Sequence, residues 1–277
     1  MIENFLELIP SKSTREYLKK IGHVFTDNEQ ATIIYNLGLS FPKRDELLER
    51  IAQKTSDAVL REQIEERLAF DRAELKKFED AAGAMFCIEG CFAKMDELYG
   101  PEEYGRFTTA ALAKQVAMRS GKEFKIRKER LYSEAVSLEY AQMESDVAGV
   151  WYNAAGEVTS YWSVAEDECF KEREQNGKQG KTFEDRFIEI PHPFAYGDKV
   201  QVLGTEQLYT VGGFGSKEEE QKMLAAICAR LGAESPEEIM DYLDVALYLG
   251  YENEDGKHDH THVSPLFVEF TVKEKQN

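Results

Sequence analysis

Between Thr55 and Ala82 the chain contains neither glycine nor proline, the two residues that most readily interrupt a helix. Over that stretch Val59, Leu60, Ile64, Leu68, Leu75 and Phe78 recur at spacings of three, four and seven, the period of one face of an α-helix. At 1.5 Å per residue the segment is a rod of roughly 40 Å. A rod of that kind cannot cover its own apolar stripe. The preceding helices could fold back on it as an antiparallel hairpin, or a second copy of the chain or another protein could pair with it.

The residues before it also read as helices. Ser13-x-x-Glu16 and Thr26-x-x-Glu29 have the form of capping boxes, in which a hydroxyl accepts from the third amide and the glutamate reaches back to the cap. Gly22 and Gly38 mark the stops. Phe41-Pro42 opens a further helix, with Leu47, Leu48 and Ile51 on one side. Proline suits a first turn because the amide hydrogen it lacks would have no partner there. Residues 1–82 are therefore expected to form a helical subdomain.

The texture changes at Gly83. Residues 84–92 are a short apolar run, 108–120 have helical spacing, and Phe124 and Ile126 alternate with charge. This is strand, helix, strand, with parallel and antiparallel pairing both allowed. Residues 147–164 read as a hairpin turning at Ala155-Gly156, with Val158, Ser160, Trp162 and Val164 on one face. Residues 83–164 thus form a mixed region. The charged, Gln- and Gly-rich stretch 165–182 reads as a linker or mobile loop. Residues 183–277 read as a strand-rich domain with two short helices, one capped at Ser216 and the other at Ser235. The fold class expected is α+β.

The formal charge is −18, from 52 acidic against 34 basic residues, which repels phosphate backbones and anionic lipid. Nucleic acid and membrane are therefore not expected as partners. Lys114, Arg119, Lys122, Lys125, Arg127, Lys128 and Arg130 form a local basic exception, suited to docking an acidic neighbour. The first ten residues carry Glu3 and Glu7 and no basic region, unlike a signal peptide. No apolar run reaches the roughly 18 residues of a membrane span. Four cysteines, Cys87, Cys91, Cys169 and Cys228, follow no regular framework and fit reduced thiols in a cytoplasmic protein.

His258, His260 and His262 alternate along one stretch, with Asp259 beside them. In a strand this spacing puts all three on one face, and three imidazoles can hold Zn²⁺ or another transition metal with a position left for water. Same-face neighbours in a strand stand roughly 6.5–7 Å apart. Three in a line therefore need a bend before they close on an ion about 2.0–2.1 Å from each nitrogen. The plainer reading is solvated histidines at a hairpin edge. Glu254 and Asp259 could assist such a metal, and His192 is a candidate fourth ligand.

Other motifs carry less. The glycines at 212, 213 and 215 precede a helix, but Glu218 stands where a dinucleotide fingerprint needs glycine. Gly180-Lys181-Thr182 lacks the first glycine of a phosphate-binding loop. Cys87 and Cys91 have the wrong spacing for a zinc or redox pair.

Residues 190–204, IPHPFAYGDKVQVLG, with the strand pair reaching to about 214, resemble the opening of small SH3-like barrels, in which a Gly-Asp turn precedes a Val-rich strand. The resemblance implies a small barrel-like sheet. PFAYGDKV followed by GYENEDGKHDHTHVSPLFVEF is similar to a pattern in uncharacterised proteins of gut Gram-positive bacteria, often near mobile elements. That implies a bacterial cytoplasmic setting and carries no activity across. Together these readings point to a non-catalytic interaction protein. It would pair with another protein or with itself through the 55–82 helix, with no cofactor expected. The rival is a metal-dependent hydrolase built on His258, His260 and His262.

Overall fold

The computed structural model describes residues 2, 4–81, 84–89, 107–130, 147–163, 182–186, 188–212, 246–252 and 256–271. Among them are five α-helices: α1 (Lys12–Ile21), α2 (Asp27–Asn36), α3 (Phe41–Lys54), α4 (Ala58–Glu79) and α5 (Ala110–Ala117). The nine strands are β1 (Ala84–Glu89), β2 (Phe124–Arg130), β3 (Val147–Tyr152), β4 (Val158–Ser163), β5 (Lys199–Val202), β6 (Leu208–Val211), β7 (Leu247–Glu252), β8 (His258–Val263) and β9 (Val268–Phe270). The protein is α+β, with helices mostly N-terminal. The expected helices at Ser216 and Ser235, most of the 165–182 stretch, Cys91 and Glu254 lie outside the described residues. The chain divides into two compact units, residues 1–32 with 185–277 and residues 33–184.

In the second unit, α3 and α4 form the expected antiparallel hairpin. Asp57 caps α4 by accepting from the amides of Val59 and Leu60, and Ser40 and Pro42 stand at the start of α3. Arg61 near the start of α4 donates to the carbonyls of Ala52 and Thr55 at the end of α3, while Arg72 further along reaches Glu49. Leu60, Ile64, Leu68 and Phe78 are all buried, so these positions of the apolar stripe are taken up inside the chain. Val59 is the departure from the pattern: it is 63% exposed.

Strands β1 to β4 form an antiparallel sheet in sequence order. Ile88 faces Ile126, and Ile126 faces Val150, which settles the choice between parallel and antiparallel pairing. The hairpin β3–β4 turns at Asn153, whose side-chain oxygen accepts from the amides of Ala155 and Glu157. One face of the sheet carries Phe86, Ile88, Phe124, Ile126, Val150, Tyr152 and Tyr161, packed with Phe41, Phe78 and the alanines of α5.

In the first unit, β5 to β9 form an antiparallel sheet in the order β8-β7-β6-β5-β9. The small barrel expected here does not close. β8 and β9 are the two edges, and no pairing joins them among the described residues. Val200, Tyr209, Val211, Leu247, Leu249 and Val268 with Phe194 make its apolar side.

Helix α1 is anchored on β9. The capping box expected at Ser13 is replaced by a cap two residues earlier. Ser11 Oγ accepts from the Thr14 amide at 3.0 Å and donates to the Val268 carbonyl at 2.6 Å. Ser13 instead gives its hydroxyl and amide to the Glu269 carboxylate, which also takes the Lys12 amide. A carboxylate from a distant strand thus sits at the positive end of the helix dipole. The Thr26–Glu29 box forms as expected, its two bonds running in both directions, and Gly22 ends α1 at φ 66°, where a side chain would be strained.

Candidate functional site

All three histidines of the metal reading lie on β8, which pairs with β7 without interruption from Leu247↔Val263 to Glu252↔His258. The strand carries none of the bending that would draw three imidazoles around one ion. Among the described residues, no group of three His, Cys, Asp or Glu side chains is placed to hold a metal. His260 and His262 do share a face, with their rings perpendicular and 6.1 Å between centroids. Tyr248 of β7 lies against both, at 5.3 and 5.2 Å. Alternation along β7 puts that face opposite Leu247 and Leu249 of the apolar core. Burial, reinforced by the nearby His260 charge, holds the His262 pKa below the usual histidine value. Asp259 accepts from the His260 amide at 2.8 Å.

His192 is not in this group. Its ring stacks on Phe194 at 5.7 Å, and Phe194 belongs to the apolar side of the sheet. Burial pushes the His192 pKa down, outweighing the Phe194 backbone and Glu189. A histidine with a folded pKa below its unfolded value takes up its proton more readily when unfolded, so its stabilising contribution is intact above about pH 6.5 and is lost as the pH falls toward the folded value. Urea unfolding at pH 7 and pH 5 is expected to show lower stability at pH 5, and His192→Phe should reduce that difference. An unchanged pH dependence in the variant refutes the assignment.

The side of the β1–β4 sheet away from the helices is the second candidate. Register places Cys87, Arg127, Gly149 and Trp162 in one row across it, and Lys125, Trp151 and Ser160 in the next. Trp151 and Trp162, the two tryptophans of the sequence, are 36% and 49% exposed. The Lys125 ammonium stands 4.6 Å from the Trp151 ring centroid, a cation–π contact. Its stem crosses Gly149, where a Cβ would come within 2.8 Å of Lys125 Cε. Glycine here makes room for the lysine. The basic stretch 114–130 is therefore divided: Lys114 on α5 reaches the ring of Tyr152 on the helix side of the sheet, whereas Lys125 and Arg127 belong to the far side.

A third cluster is absent from the sequence reading. Asp71 of α4 is fully buried. One carboxylate oxygen accepts from Arg44 of α3, and the other from the Tyr161 hydroxyl at 2.7 Å and the Arg67 guanidinium at 2.9 Å. Arg44 also pairs with Asp45, whose own pKa burial raises against the pull of Arg44. The Arg44 guanidinium lies 3.7 Å from the Phe41 ring centroid. The signal was present: Arg67, Asp71 and Glu74 recur at spacings of four and three between Ile64 and Phe78, on the face that otherwise carries apolar residues. Nothing reaches Asp71 from solvent, so the cluster ties α3 and α4 to β4 rather than offering a reactive carboxylate.

No protein-family model, curated protein or solved structure matches the chain. No helix among the described residues is long and apolar enough to cross a membrane.

Proposed function

We propose that this chain is a non-catalytic interaction protein of the bacterial cytoplasm, and that its docking surface is the tryptophan-bearing side of the β1–β4 sheet. The observation that carries the reading is the placement of two solvent-exposed tryptophans, Trp151 and Trp162, in neighbouring rows on the same side of the sheet. Tryptophan and arginine are the residue types on which protein interfaces concentrate their binding energy, and Arg127 shares the row of Trp162. An antiparallel sheet covered by helices on one side needs no large aromatics on the other for its own stability. The surface differs from the 55–82 helix named by the sequence, because α4 already packs against α3 and the sheet. The partner is a protein rather than a nucleic acid, since a net charge of −18 repels phosphate.

The experiment compares the full chain with a Trp151→Ala/Trp162→Ala variant in crosslinked capture from bacterial cytoplasm, with light scattering to detect self-association. Truncating an interface anchor costs about 2 kcal/mol or more of binding, so the variant should lose its partner while keeping its melting temperature. A capture profile identical for the two proteins refutes the reading.

A further inference from the structure

We propose that the Tyr248 side of β8 is a two-histidine chelate for a late first-row divalent cation, Cu²⁺ ahead of Ni²⁺ and Zn²⁺, held by His260 and His262. The two imidazoles stand two residues apart on a strand whose backbone is fixed by unbroken pairing with β7. Their rings are perpendicular, 6.1 Å apart, and both rest on Tyr248, which restricts where they can turn. Two same-face ligands satisfy a chelate where three in line do not. A shared ion needs one nitrogen of each ring at about 2.0–2.1 Å, and two residues on one face can supply these without the strand bend that three require.

The surroundings favour a cation. The Asp259 carboxylate lies 3.8 Å from His260 Nδ1 and is held there by the His260 amide. The His260 side chain is 25% exposed, so an ion arrives from water and keeps water in its remaining positions. Imidazole is an intermediate ligand that suits copper, nickel and zinc, and affinity among divalent ions rises to copper. The site is one of binding, carried by the unit of residues 1–32 and 185–277, and differs in chemistry from the tryptophan face.

The test titrates the metal-free full chain with Cu²⁺, Ni²⁺ and Zn²⁺ salts by calorimetry. One equivalent of Cu²⁺ should bind, with Ni²⁺ and Zn²⁺ weaker. His260→Thr and His262→Thr, chosen because threonine suits a strand, should each weaken Cu²⁺ at least about tenfold, since even the loss of a ligand's supporting partner has that effect. Electron paramagnetic resonance of Cu²⁺ bound to the unaltered protein needs no variant to fold and should show coupling to two imidazole nitrogens. Three results overturn the proposal: no stoichiometric Cu²⁺ binding, affinity unchanged in either folded variant, or a spectrum with fewer than two imidazole nitrogens.

Discussion

Asp71→Ala is expected to destabilise the unit of residues 33–184 by about 3–5 kcal/mol, the range for breaking a buried ion pair by removing one partner. The carboxylate accepts from Arg44, Arg67 and Tyr161 at once, and the two guanidiniums are themselves almost wholly buried. Alanine would remove the charge that two buried guanidiniums and a phenol share, leaving Arg44 with Asp45, and each buried group that loses its acceptor retains its desolvation penalty. Asp71→Asn keeps the volume and one acceptor oxygen but not the charge, so it should fall between the wild type and alanine. Denaturant titration followed by hydrogen exchange along α4 measures the effect, and a loss below about 1 kcal/mol, the scale of an exposed pair, would refute the account. The large expected value reflects buried donors that lose their shared acceptor more than any net strength of the pair. Replacing the whole cluster by apolar residues of similar volume should be far milder.

Phe78→Ala should cost about 3–5 kcal/mol, as deletions of buried aromatic side chains do. Phe78 is fully buried where the C-terminal end of α4 meets the sheet, its ring edge-on to Phe86 of β1 with centroids 5.3 Å apart. The loss combines the transfer of a large apolar group with the cavity left behind, because helix and strand on either side are held by their own hydrogen bonds and cannot close the gap. A double-mutant cycle with Phe86→Ala should return a coupling of about 0.5–1.5 kcal/mol for the aromatic pair. Val59→Ala on the same helix is the internal comparison. Exposed to solvent, it should shift stability by no more than about 0.5 kcal/mol, and equal losses at positions 59 and 78 would contradict the packing described.

The sequence by itself determined the local pieces. The long α4, the Thr26–Glu29 box, the stop at Gly22, the proline at the start of α3 and the 147–163 hairpin each depend on residues within about a turn or a hairpin of one another. Helical period, capping chemistry and turn residues act at that range. What the histidines could do was only partly legible: their alternation put His260 and His262 on one face, but whether β8 bends was a matter of its pairing with β7.

Only the tertiary structure decided the rest. Ser11 rather than Ser13 caps α1 because Ser13 is engaged by Glu269, 256 residues away, and no window along the chain contains both. The charges at Arg67 and Asp71 occupy a buried face because Arg44 and Tyr161 meet them there. Lys114 and Lys125, neighbours in a basic run, lie on opposite sides of one sheet. The C-terminal strands stay an open sheet because its order leaves β8 and β9 at opposite edges. In each case the deciding partner lies far away in sequence. Such contacts form only when folding closes long loops and brings particular faces together, and that balance of burial against chain entropy is a property of the whole fold.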